Sequence, residues 1–256
     1  DSEFLVIKLD TLGFAVSAIA QGLHWEAKMR GGGGRILTER TEEMWAIPKM
    51  MKSVNKETGE IQIIRLDRQV FIHTIDLKEK TYEEITFAEM ESMMKKAVDK
   101  MEAEMAEVLA GMPEEQRKMA EEMMADKMPG KSKNPKVEVR ETGDTKTISG
   151  FSCTKFIVTR DGKEAMTMWT TKDVEGFESM RKDWEEFSRR MMVMNPTGKG
   201  LGDAFRQIDG FPIQTDVNNY MTSTVTMIEK KAAPASEFNI PAGYKKVKLN
   251  MEDMDK

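Results

Sequence analysis

The residues able to do chemistry are few: one cysteine, two histidines and an unusual 24 methionines. A nucleophilic Cys153 would need a base at motif spacing, and neither His24 nor His73 stands at one. Cys153 falls instead in a predicted strand, where a free cysteine reads as a small buried hydrophobe. His24 and His73 also fall on predicted strands, and two imidazoles fall short of a three-histidine metal site unless carboxylates complete it. The many Asp and Glu lie on solvated helix faces and in turns rather than as a pair in a cleft. Thioether ligation of Cu(I) is the one metal chemistry that methionine suggests, but the methionines follow helical burial and have no His or Cys near them. The glycine tract Gly31 to Gly34 lacks the Lys and Ser/Thr of a phosphate-binding loop and reads as a flexible hairpin or linker. The expectation is a protein without catalytic residues, bound metal or cofactor.

The methionines have another use. Thioether side chains are flexible and polarisable, and they line core gaps or surfaces that adapt to variable partners. They concentrate between Phe87 and Met128. There Phe87, Met90, Met94, Ala97, Met101, Met105 and Val108 recur every three or four residues and share one helix face. Gly111 suits the end of that helix and Pro113, Glu114 and Glu115 the start of a second, with Met119, Met123 and Met128 on its apolar side. A further helix is predicted from Glu178 to Met194, with Met180, Trp184, Phe187, Met191 and Met194 on one side.

The elements around these helices read as strands. Glu3 to Leu9 is a short apolar run, and Thr11 to Ala20 fits either a strand or a helix. Leu23, Trp25, Ala27 and Met29 alternate with polar residues, placing His24 on a solvated face. Further strands follow over Arg35 to Ile47, Glu60 to Leu66, Gln69 to Ile75 and Thr81 to Ile85. After a linker at Pro129 to Pro135 come Lys136 to Glu141, Lys146 to Ile148 and Phe151 to Thr159. Asp161-Gly162 turns the chain into Glu164 to Thr171, and Pro212 to Lys230 makes one or two long strands. The tail from Ala232, with prolines at 234 and 241 and a charged end, reads as solvated. Strands joined by short turns pair antiparallel, and helices on one face of such a sheet make an α+β domain.

Length and charge narrow the partners. A chain of 256 residues with 39% hydrophobic and 32% charged residues forms a globular domain or two. A net charge of -5 argues against nucleic acid, and no apolar run is long enough to cross a bilayer as a helix. The opening residues are read as a strand rather than a signal peptide, while a start at Asp1 fits a processed, exported protein.

Several short stretches resemble a known family when taken in order. They are Glu42 to Trp45, Ile64 to Asp67, Lys80 to Tyr82, Gly150 to Phe156, Trp169 to Asp173, Asp209 to Pro212 and Ile240 to Tyr244. Together they resemble an uncharacterised, methionine-rich family of exported bacterial domains similar to the half-barrel carriers of lipoprotein localisation. The resemblance spans Thr41 to Val247 and leaves residues 1–40 unmatched. It implies a curved antiparallel sheet wrapped around a helical hairpin (87–128) and one further helix, in a domain over 41–248 with a charged tail at 249–256. It also implies a periplasmic or secreted location and a lipid or other apolar ligand between sheet and helices. On that reading Met90, Met94, Met101, Met105, Met180, Trp184 and Phe187 line the ligand site. The alternative is an assembly subunit that presents the same stripes to a protein partner.

Overall fold

A computed structural model describes residues 19–31, 38–114, 116–117, 136–193, 201–218 and 221–248. Six strands come first: β1 (Ile19–Gly31), β2 (Thr38–Ile47), β3 (Met50–Asn55), β4 (Ile61–Arg65), β5 (Val70–Asp76) and β6 (Thr81–Thr86). Helix α1 (Phe87–Ala110) follows, then β7 (Val137–Ile148), β8 (Phe151–Arg160) and β9 (Lys163–Thr171). Helices α2 (Phe177–Val193) and α3 (Leu201–Ala204) precede β10 (Phe211–Val217), β11 (Met221–Pro234) and a short β12 (Lys245–Lys246). The predicted strand at Glu3 to Leu9, the glycine tract beyond Gly31, the second methionine helix beyond Arg117 and the charged tail lie outside the described residues.

All twelve strands belong to one sheet in the order β12-β6-β5-β4-β3-β2-β1-β11-β10-β9-β8-β7. Every pairing is antiparallel except the short β12–β6 contact. The fold is α+β, with the sheet open rather than closed into a barrel. The sheet also curls. Ser149, in the turn between β7 and β8, donates its hydroxyl to the carbonyl of Val225 on β11 at 2.6 Å. Strands β8 and β11 are three places apart, about 14 Å in a flat sheet at the usual spacing of about 4.8 Å, so only strong curvature permits that bond.

Local sequence explains several joints. Asp161 and Gly162 both have positive φ, 51° and 78°, as the tightest hairpin turn requires. The segment predicted as two strands, Lys136 to Glu141 and Lys146 to Ile148, is one strand with an irregularity between Glu141 and Thr145, where Gly143 takes φ 80°. Thr86 caps α1 and Glu89 returns the bond, a reciprocal pair written in the sequence as Thr-x-x-Glu.

Side chains on opposite faces of β1 to β5 feed two different cores. Leu23, Trp25, Ala27 and Ala46 pack under α2 with Phe177 and Met180. Ile61, Ile63, Val70 and Ile72 point the other way, into a cluster closed by Phe238. Both faces of β4 are therefore covered, which accounts for its nearly unbroken apolar run.

This second core corrects the expected solvated tail. After β11 the chain crosses the back of the sheet, buries Phe238 completely and pairs Lys245 and Lys246 with Thr81 and Tyr82 on β6. Arg65 fastens the crossing by donating to the Asn239 side chain at 3.0 Å while paired with Asp67 at 2.7 Å. The prolines and charges of the tail suggest solvent because a single buried aromatic carries little local signal.

His24 is a second correction. The alternation of its strand holds, but its face is not solvated: the residue is 6% exposed. The cross-strand neighbours Trp45 and Glu229 lie directly opposite it. The imidazole stacks on Trp45 at 4.0 Å, with Nδ1 3.0 Å from Glu229 and Nε2 2.9 Å from Glu43.

Candidate functional site

The helices meet the sheet at two adjoining apolar clusters. Helix α2 forms because Phe177, Met180, Trp184 and Phe187 recur at three- and four-residue steps and bury one face. In the first cluster, the rings of Trp184, Phe177 and Phe211 lie 5.2 to 6.1 Å apart, and Trp25 joins Trp184 and Phe211 at 5.7 and 5.6 Å. Most of these contacts are edge-to-face, the arrangement favoured by the ring quadrupoles. The second cluster holds Phe87 and Met90 of α1, Phe187 of α2, Ile64 and Phe71 of the sheet, and Leu66 in the turn after β4. Met51 borders both.

Polar contacts lock the joint between helices. The guanidinium of Arg190 lies 4.6 Å over the Phe87 ring and donates to Glu91 at 3.0 Å and Glu186 at 2.7 Å. A third bond reaches Gln69 in the turn between β4 and β5 at 3.3 Å. Asp183 accepts from the backbone of Lys49 at 2.7 Å and ties α2 to the turn between β2 and β3.

At the other end of α2, Arg181 pairs with Glu178 at 2.6 Å and with Asp209 at 2.5 Å, and Lys172 meets Asp209 at 2.5 Å. Lys172 and then Arg181 hold the Asp209 carboxyl below the usual carboxylate range. Asp209 is placed by the next residue: Gly210 has φ 86°, and a Cβ there would stand 2.5 Å from the Thr171 carbonyl. Between Phe177, Arg181, Trp184, Ile208 and Pro212 a small cleft encloses about 10 Å³, roughly the room one water needs.

The seven residues expected to line a ligand site are thus divided. Met180 and Trp184 join the aromatic cluster, and Met90 and Phe187 join its neighbour. Met94 and Met105 are half-buried along α1, and the side chain of Met101 lies outside the described residues. The stripe on α1 also drifts from the expected one. Ala97 and Val108 are exposed, while Val98 and Leu109 are half-buried. A straight helix at 3.6 residues per turn returns to the same face near every eleventh position, so Phe87, Val98 and Leu109 align. Arg190 and the Thr86–Glu89 cap hold the helices at this site and are contacts that the sequence reading misses. The spacing of Thr86 to Glu89 and of Glu186 to Arg190 is the signal that could have found them.

Cys153 is fully buried, and burial pushes its thiol up, away from the nucleophilic form. Among the described residues, no group of three or more His, Cys, Asp or Glu is placed to hold a metal ion, and no helix is long and apolar enough to cross a membrane.

Residues 88–244 match the family described as Domain of unknown function (DUF4412). The chain belongs to this family. The matched stretch of this DUF4412 member starts inside α1 and ends at the crossing tail, so the motifs at Glu42 to Trp45, Ile64 to Asp67 and Lys80 to Tyr82 lie ahead of it. No curated protein matches the chain. Among solved structures, two crystal forms of PNGF-II align with 92% of this chain at TM-scores of 0.40 and 0.39, with 11% and 10% identity. The structure of MucB aligns with 87% of it at a TM-score of 0.37 and 11% identity. The chain spans 32% and 33% of the two PNGF-II chains and 57% of the MucB chain.

Proposed function

We propose that this DUF4412 protein is a non-enzymatic binding protein of the cell envelope that holds a lipid or other apolar ligand between its curved sheet and its helices. The observation that carries this reading is the way α1 is held. Its first turn is fixed by Phe87, Met90 and Arg190, and beyond it the apolar stripe of Met94, Val98, Met105 and Leu109 is only half-buried. Helix α1 is also part of the connection between β6 and β7, which lie ten strand places apart. Its 24 residues span about 36 Å, long enough to reach over much of a curled sheet. Such a helix, tied at one end and faced with adaptable thioethers, suits a cover over an apolar ligand of variable shape.

The test is native mass spectrometry of protein purified without detergent, followed by organic extraction. A reproducible extra mass that extracts as lipid is expected, and the double variant Met94→Ala, Met105→Ala should lose most of it. A clean apo protein, or retention unchanged in the variant, defeats the reading. A second reading, an assembly subunit that uses α1 as an interface, is favoured by Val108, left 55% exposed beside the stripe. A stable oligomer that the same double variant dissociates would support it instead.

A further inference from the structure

The sheet ends differently at its two sides. At β6 the crossing tail pairs Lys245 and Lys246 with Thr81 and Tyr82, so part of that edge is covered. At the other end β7 is the last strand, and among the described residues it pairs with β8 alone. The outer edge of β7 runs for 12 residues. An edge of that length offers a row of backbone N–H and C=O groups to another strand.

Its side chains specify which strand. A protected edge carries lysines or proline. Strand β7 instead carries both signs of charge in antisymmetric order about Thr142, with Glu138 and Arg140 on one side and Asp144 and Lys146 on the other. An antiparallel second copy of β7 with Thr142 opposite Thr142 therefore sets Glu138 against Lys146 and Arg140 against Asp144. In the same register Val137 meets Thr147 and Val139 meets Thr145, pairs of β-branched residues that suit a sheet. A shift of about two residues either way opposes Glu138 to Asp144 or Arg140 to Lys146, like charges in both cases. The faces agree as well. Glu138, Arg140 and Lys146 stand opposite Thr159, Ile157 and Cys153 of β8, all on one side of the sheet. Asp144 reaches that side too, with its carboxylate 3.9 Å from Lys155.

We propose that β7 is a homodimerisation edge: two copies join β7 to β7, antiparallel, across a two-fold axis at Thr142, and their two sheets become one. The contact is isologous, so it uses the open β7 edge of both copies and closes at the dimer. The irregularity at 142–144, where these residues of β7 stand against Lys155 alone, falls on the axis. The regular stretches 137–139 and 145–147 then meet each other on either side of it. Lys146 is drawn back over its own sheet, 2.8 Å from Gln214 and 4.1 Å over the Trp169 ring, so the Arg140–Asp144 contact next to the axis carries more of the selectivity. This interface is separate from α1 and does not rest on an apolar ligand.

The experiment is sedimentation velocity of the full chain over a concentration series. A reversible dimer is expected. Arg140→Glu or Asp144→Arg turns the opposite-charge contacts beside the axis into repulsions, and each should raise the dissociation constant about tenfold or more. The double variant Arg140→Glu, Asp144→Arg exchanges the charges and should restore the dimer, and that restoration separates loss of the contact from loss of the fold. A monomer at all concentrations overturns the proposal, as does a dimer that neither single variant weakens or that the double variant fails to restore. A dimer dissociated by Met94→Ala, Met105→Ala and untouched by Arg140→Glu belongs to α1 and overturns it too.

Discussion

Arg190 lies with its guanidinium 4.6 Å above the ring of Phe87, joining the last turns of α2 to the first residue of α1. The two residues are more than a hundred positions apart in sequence. The contact fixes where α1 leaves the sheet, because Glu91 and Glu186 hold the same guanidinium from both helices.

Arg190→Ala should therefore loosen α1 more than the rest of the fold. A partly desolvated cation–π contact and charge-assisted bonds of this kind together are worth about 1–3 kcal/mol. Urea unfolding should show a loss of that size, and hydrogen exchange should show faster exchange over Phe87 to Ala110. Unchanged exchange there would show that the apolar cluster alone holds the helix.

Phe238→Ala tests the crossing tail. Phe238 is fully buried in the cluster of Ile61, Ile63, Val70 and Ile72. Removing a buried phenyl ring costs about 3–5 kcal/mol. Thermal unfolding should move accordingly, with the back of the sheet newly accessible to a hydrophobic dye. A shift typical of a surface substitution would mean that the tail contributes little to the second core.

Gly210→Ala combines two costs at one position. A left-handed backbone disfavours any Cβ by about 1–2 kcal/mol, and this one would also press on the Thr171 carbonyl at 2.5 Å. We expect a loss of more than about 2 kcal/mol in urea titration. Asp209→Asn, which leaves the backbone alone, should cost less.

Carboxylates held by cations shape the acid side of the stability curve, and three of them illustrate it. Arg65 holds Asp67 below its ordinary range, Arg189 and Arg190 do so for Glu186, and Lys172 and Arg181 for Asp209. A carboxylate depressed in the fold binds fewer protons than it does unfolded, so stability rises with pH through that window. The contribution is fully present above the unfolded values, about 3.9 for Asp and 4.3 for Glu, and is lost as pH falls through the lower folded values. Urea midpoints measured from about pH 6 down to about pH 2 should fall below about pH 4. The fall should be shallower in Asp209→Asn, and a stability that increases on acidification would refute the assignment.

Part of the candidate site is legible in the sequence. The three- and four-residue spacing of Met180, Trp184 and Phe187 puts them together on one helix face, and burial of that face follows from their size. Their partners are not legible there. Phe211, Phe71 and Met51 reach the same clusters from strands distant in sequence, and nothing local to those strands distinguishes a residue facing a helix from one facing the back of the sheet.

Sequence alone determined the local elements: the alternation of β1, the Asp161-Gly162 hairpin, the helical nature of α1 and the amphipathic α2. These follow from side-chain period and backbone preference within a few residues. Only the tertiary structure decided that β1 pairs with β11, that Phe238 closes a second core, and that the polar face bearing His24 is buried between Trp45, Glu43 and Glu229. Each of these depends on segments far apart in the chain. Their pairing is selected by the total burial that the curled sheet achieves, a quantity that no short stretch of sequence contains.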